Sequence, residues 1–542
     1  MAGPGQNACV RGRAAPDNKG ALRANCLPTR STLDLIGPAR PSRACFCAVE
    51  HLDVVIVGAG LSGIGMACHL RVRRPGTTYA LLEARAETGG TWSLFRYPGV
   101  RSDSDMHTLG YRFRPWARAE TMPGGAEILD YLRDTAREYG VLDHVRLRHR
   151  VIAANWDSAR SRWELRVSRG GDEVELTCSF LLMCGGYYRN DGGFRPELPG
   201  VESFDGPVVH PQDWPQDLDY TGKRVVVLGS GATAVTLVPA LARDAAHVTM
   251  VQRSPSYVLS LPSADALAPK LARLPGGIGH RLTRWRNIAT AMAFYQLSQR
   301  YPRLVRRVLR KATAAALPPG YPVDVHFNPR YGPWDQRMCM VPDGDFFTAV
   351  SSGRASVVTD TIAGFTADAV RLTSGESVPA DILVTATGFN LGLFGGAELS
   401  VDGRPVRTTE TMTYLGMMLA GVPNMVYVLG YTNATWTLKL DLVANYLVRL
   451  LRHMSDKGFD VATPAAPPPE VTEEPFVNLT AGYVQRGAAE LPRQGSRLPW
   501  RPTMNYVLDT ITLRRTPITR AMTFSRARTP DQALPPPVPR GR

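Results

Sequence analysis

Two segments of the chain set several aliphatic residues in an unbroken row and pass at once into glycines. Asp53-Val54-Val55-Ile56-Val57 runs into Gly58-Ala59-Gly60-Leu61-Ser62-Gly63, and Arg224-Val225-Val226-Val227-Leu228 runs into Gly229-Ser230-Gly231-Ala232-Thr233-Ala234. A row that is apolar without alternation fits a strand covered on both faces, and the glycines mark a tight turn into a helix. Each segment has a second apolar run downstream, Tyr79-Ala80-Leu81-Leu82 and His247-Val248-Thr249-Met250-Val251, as a βαβ unit requires. The pattern predicts an α/β protein with two Rossmann-like dinucleotide-binding domains. Between Lys270 and Lys311 the apolar spacing becomes helical, as at Leu304, Val305, Val308 and Leu309, which predicts a helical insertion over about 261–330.

The two loops differ in the residues downstream of them. In the first, Gly58 allows the turn, Gly60 lets backbone approach a pyrophosphate, and Gly63 allows close helix–strand packing. The helix start then offers unpaired N–H groups to the phosphates, with Ser62 among them. Glu83 ends the next strand about twenty residues on, where a carboxylate holds ribose hydroxyls. In the second loop Ala234 takes the place of the third glycine, a permitted variant. The loop residues Gly229, Ser230, Gly231, Ala232, Thr233 and Ala234 are all expected at the nucleotide. The next strand there ends in Gln252-Arg253-Ser254 rather than an acid. An acid would repel a 2′-phosphate, whereas Arg253 can pair with one bidentately, so the second cofactor is expected to be NADPH, held by Arg253 and Ser254.

Composition adds bounds. With 542 residues, 44% hydrophobic and 20% charged, the chain is long enough for two or three packed domains and shows no transmembrane pattern. Met1 to Cys47 lacks periodicity and has few acids. That bias is shared by a transit peptide and by an over-early start in a GC-rich gene; the second is the reading taken, with a start near Val49. The end of the chain after about residue 521 is expected to be disordered. Eight cysteines form no C-x-x-C pair and no metal-ligand spacing, so reduced thiols and no metal site are expected. The net charge of +15 concentrates between Lys270 and Lys311, where no acidic residue occurs. Nucleic acid is disfavoured for want of a recognition motif, and the stretch reads either as a solvated helical face or as a peripheral membrane contact of a cytoplasmic protein.

The choice of chemistry comes from other motifs. Between the loops stand Phe204, Gly206, His210, Trp214 and Pro215, as F-x-G-x-x-x-H-x-x-x-W-P. After Glu83 come Gly89-Gly90-Thr91-Trp92 and then Phe95-Arg96-Tyr97-Pro98-Gly99-Val100-Arg101-Ser102-Asp103; Trp334-Asp335-Gln336-Arg337 stands much later. Together these resemble the type I Baeyer–Villiger monooxygenases, class B flavoprotein monooxygenases. The resemblance covers about His51 to Arg515.

The resemblance implies FAD in the first domain, lined by Thr91, Trp92, Ser93 and Leu94, with Arg101, Ser102 and Asp103 alongside and Val151 at the adenine. It implies that Asp103 orients Arg337, whose guanidinium stabilises an anionic C4a-peroxyflavin attacking a ketone to give an ester or lactone. The fingerprint is then a linker coupling domain motion to catalysis, with no proton-transfer role for His210, and the chain would leave the FAD domain near Leu182–Tyr188 and return near Asp381–Phe389. Domains are accordingly expected at 51–190, a linker at 191–222, NADPH binding at 223–380, and the rest of the FAD domain at 381–520. Gln336 stands where relatives often have a lysine, which loosens the expected preference for NADPH. The substrates implied are O2 with a small ketone, or a thioamide or sulfide. An N/S-oxygenase without ketone activity and a non-catalytic FAD/NADPH redox sensor stay open, and oligomeric state is not legible.

Overall fold

The computed structural model describes residues 49–476 and 482–527. The extension read before Val49 and most of the tail lie outside the described residues. Strand Glu50–Val57 is buried from Val54 onward, as its unbroken aliphatic row requires. It pairs in parallel with Tyr79–Glu83 on one side and Asp172–Met183 on the other. Val145–Leu147 and Met425–Tyr427 extend the parallel part at either end. An antiparallel meander, His149–Asp157 and Arg162–Arg169, leads into Asp172–Met183. Strand Glu398–Val401 then joins the meander's edge.

The second sheet is parallel throughout, in the order Ala355–Thr359, His247–Gln252, Arg224–Leu228, Ile382–Thr385, Val208–Val209. In both sheets the glycine loop extends from a central strand at the point where strand order reverses, which is where open α/β sheets bind ligands. One boundary is corrected here. Ile382–Thr385, read from sequence as the start of the returning FAD segment, completes the second sheet instead. Its four residues are all buried and pair with Val225–Leu228. The crossing comes after it, at Gly388.

The two crossings meet. Tyr188–Gly193 and Phe389–Leu391 pair as a short antiparallel ribbon, and the Phe194 N–H donates to the Gly388 carbonyl at 3.0 Å. His210 clasps this ribbon. Its Nδ1 accepts from the Gln212 N–H at 3.1 Å, so the proton sits on Nε2, which donates to the Gly388 carbonyl at 3.1 Å. Burial holds this imidazole below its ordinary pKa of 6.5 and keeps it neutral. Phe204 packs beside Val226, Leu228 and Leu383 on one side of the second sheet. Trp214 packs with Phe95 and Tyr97 on the other.

The insertion consists of helices Ile278–Arg300 and Pro302–Ala315 with shorter turns around them. Arg284 anchors it: Nη1 donates to the carbonyls of Thr108 (3.0 Å) and Gly110 (2.7 Å), and Nη2 pairs with buried Asp441. A second correction concerns the tail. Met522–Ser525, expected to be disordered, is a strand paired with Val461–Pro464, with Met522 buried. Cys68, Cys178, Cys184 and Cys339 are buried and unpaired with one another. No helix among the described residues is long and apolar enough to cross a membrane.

The clasp has two measurable consequences. A Cβ on Gly193 would lie 1.7 Å from His210 Cε1, so Gly193→Ala should cost about 1–3 kcal/mol in chemical denaturation. Because the folded pKa of His210 is lowered, its stabilising contribution is present above 6.5 and is lost as pH falls through the lowered value. Thermal melts of the wild type and His210→Gln should therefore converge as the solution is acidified; a constant gap would contradict the neutral clasp.

Candidate active site

A continuous cavity of about 1390 Å³ runs between the two glycine loops. On the first side it is lined by Gly58, Gly60 and Ser62, by Glu83, and by Thr91, Trp92 and Leu94. Gly60 and Gly90 abut: a Cβ on Gly90 would come within 2.9 Å of the Gly60 Cα. The G-G-x-W segment is thus laid directly against the first loop, and side chains on either glycine would push the two apart. The buried Glu83 carboxylate accepts from the Ala59 N–H at 2.8 Å and the Arg85 N–H at 3.0 Å, which fixes it at the strand end facing the cavity. Val151 also lines the cavity.

On the second side the cavity touches Gly229, Ser230, Gly231, Ala232 and Thr233, with Arg253 and Gln336 beyond. Arg253 is exposed and lines the cavity. Where the two halves meet, Arg337 Nη2 lies 2.8 Å from Asp103 Oδ1. The pair spans 234 residues of sequence, and both partners line the cavity. Neighbouring contacts set their backbone. Arg101 makes a two-pronged pair with Asp345, and the buried Ser102 hydroxyl donates to the Ser104 carbonyl at 2.7 Å. On the Arg337 side, Gly332 N–H donates to Asp335 Oδ2 at 2.7 Å, closing the turn that carries Trp334 at φ 71°. Phe294 and Tyr295 of the insertion stack edge-on against Trp334.

Four expected cofactor residues do not line the cavity. Ser93 is 1% exposed; its hydroxyl donates to the Gly90 carbonyl and accepts from Arg85 at 2.7 Å, so it holds the segment's shape. Gly63 and Ala234 are buried in their helices, and the close packing expected of the third loop position is seen at Gly63, where a Cβ would lie 1.9 Å from the Gly58 carbonyl oxygen. Ser254 is exposed, and its carbonyl accepts from the Ser230 hydroxyl at 3.2 Å.

The sequence reading missed Arg85, whose guanidinium also donates to the carbonyls of Gly90 and Ser93 at 3.0 Å and lines the cavity. Its signal was its place two residues after Glu83. Tyr97 was missed as well: burial pushes its phenol up to about 12, while a hydrogen bond to Thr233 ties the FAD-side segment to the second loop. Cys339 lines the cavity, and burial pushes its thiol up to about 12. Trp436 donates from Nε1 to the Ser62 hydroxyl at 2.7 Å and stacks on Tyr187 with centroids 5.2 Å apart.

Family comparison agrees with this geometry. Residues 56–119 match an NAD(P)-binding Rossmann-like domain, and residues 121–269 match the flavin-binding monooxygenase-like family. The chain is 53% identical to the FAD-containing monooxygenase EthA of Mycobacterium tuberculosis, over 86% of this chain and 96% of that protein. It is 51% identical to EthA of Mycolicibacterium smegmatis, over 85% and 94%. Among solved structures, a steroid monooxygenase bound to NADP superposes with a TM-score of 0.69 at 22% identity, covering 88% of this chain and all of that one. Cyclohexanone monooxygenase from Rhodococcus sp. Phi1 bound to NADP+ gives 0.67 at 19%, over 89% and 100%. These two likenesses concern the fold. The chain belongs to the flavin-binding monooxygenase-like family. It is a flavin monooxygenase, and the donors on the two sides of its cavity fit FAD at the first loop and NADPH at the second.

Replacing Trp436 by Phe removes the bond to Ser62 and keeps the ring. A net hydrogen bond is worth about 0.5–1.5 kcal/mol, so FAD affinity, read by flavin fluorescence on reloading the apoprotein, should fall about two- to tenfold. Unchanged affinity would separate Trp436 from the loop.

Proposed function

We propose that the enzyme inserts one oxygen atom of O2 beside a ketone carbonyl to give an ester or lactone, consuming NADPH and a proton and releasing NADP+ and water. The observation that carries the reading is the Asp103–Arg337 pair, fixed at the junction of the two cofactor regions. When bound, FAD supplies the oxygen-activating chemistry and NADPH the hydride.

The chain's own residues do the rest. Oxygen insertion places negative charge first on the attacking oxygen and then on the former carbonyl oxygen. Arg337, charged at every working pH, offers a fixed counter-charge to both. Asp103 fixes the guanidinium's direction, so little reorganisation is needed when the charge develops. Arg253 selects the phosphorylated nicotinamide cofactor, and Gln336 beside Arg337 adds no second cation. His210, neutral and bonded on both ring nitrogens, holds the crossing and has no part in proton transfer. Sulfur of a thioamide or sulfide is a nucleophile and calls for the protonated form of the same oxygen donor, so its oxidation is a second reaction open to this site.

Purified enzyme given NADPH and a phenylketone should form the ester. Sulfoxide from a sulfide, with no ester from any ketone, would reverse the reading toward N/S-oxygenation. Arg337→Ala should still let NADPH bleach the flavin while ester formation drops by about 10²-fold or more; an unchanged ester yield would remove the assigned role. Arg253→Ala should raise the KM for NADPH about tenfold or more and leave that for NADH nearly unchanged, as expected for loss of a charged phosphate contact.

A further inference from the structure

Helix Ile278–Arg300 has two unlike faces. One is anchored through Arg284, through the Asn287 amide bonded to Asp105, and through Phe294 and Tyr295 against Trp334. On the other, Ile278, Leu282 and Trp285 recur at i, i+4 and i+7 and are 46, 47 and 48% exposed. A second row adjoins it: Val507, Leu508 and Ile511 of helix Tyr506–Arg515 are 39, 52 and 45% exposed, and the Trp285 ring lies 5.8 Å from that of Tyr506. Single exposed apolar side chains are ordinary, but two adjoining rows with a tryptophan form a patch.

The charges around it are of one sign. Lys270, Arg273, Arg281, Arg514 and Arg515 are exposed, and no acid occurs from Lys270 to Lys311. The acids that lie near are turned inward and paired: Asp509 with Lys439, Asp441 with Arg284, and Asp265 with Arg286. None of the six apolar residues lines the active-site cavity.

We infer that this two-helix face docks on an anionic phospholipid surface, with the aliphatic rows and Trp285 entering the headgroup boundary and the arginines meeting lipid phosphates. Aromatic and aliphatic side chains flanked by arginines suit that boundary, and the unopposed positive charge is complementary to an anionic leaflet. The inference does not depend on which substrate is oxidised.

The test uses full-length FAD-loaded protein sedimented with vesicles of phosphatidylcholine alone or mixed with phosphatidylglycerol. Binding is expected to the mixed vesicles, weakened by salt. A Leu282→Glu/Leu508→Glu variant should bind about tenfold or more weakly, with flavin content and NADPH oxidation unchanged. Arg273→Glu/Arg281→Glu should lose the preference for anionic lipid. Absence of binding, or equal binding by the Leu282/Leu508 variant with its flavin intact, would overturn the inference. A concentration-dependent dimer abolished by the same variant would assign the face to a second copy, and binding that appears only after removal of residues 1–48 would assign it to that segment.

Discussion

The site depends on keeping one guanidinium where two separately built halves of the protein meet. Asp103 comes from the loop that borders the first glycine turn, and Arg337 from the turn beyond the helical insertion. Their 2.8 Å contact is the place where the FAD-side wall and the NADPH-side wall share a charge. Both side chains are partly exposed, so the pair adds little to stability. In the proposed reaction its value lies in direction. A guanidinium that already points at the site of developing charge costs no rearrangement during the reaction. Each partner is braced from its own side, Asp103 through the Arg101–Asp345 pair and the Ser102 turn, Arg337 through the Asp335 turn and the insertion's aromatic rings.

A pair that spans two regions works only if the crossings between them are defined, and the fingerprint supplies that definition. Phe204 and Trp214 hold its ends to opposite sides of the second sheet, and neutral His210 ties its middle to the Gly388 carbonyl. A charged imidazole would lose the acceptor that the Gln212 N–H needs. Burial, which disfavours charge, therefore maintains the clasp. The motif's residues stay out of the cavity and act on the crossing between the two cofactor regions.

Much of this was legible in the chain. Unbroken aliphatic rows running into glycines marked both nucleotide sites, since strands covered on two faces leave little choice of residue. Asp103 and Arg337 were singled out only through resemblance, because nothing local to either residue says that the two would pair at the cavity. The reading went astray where neighbours decide. Ser93 lies in a segment that lines the cavity yet turns its hydroxyl inward to Gly90 and Arg85. Ile382–Thr385 reads as a buried strand in either domain, and only the free edge beside Arg224–Leu228 assigns it. The buried pairs Lys439–Asp509 and Arg284–Asp441 have partners 70 and 157 residues apart, and no spacing rule connects them.

The most direct measurement of the central claim is a double-mutant cycle on oxygen insertion using Asp103→Asn, Arg337→Ala and the pair together. If Asp103 acts through Arg337, the double variant should form ester no more slowly than Arg337→Ala alone, as residues working as a unit do. Losses that simply multiply would show two independent roles and contradict the account.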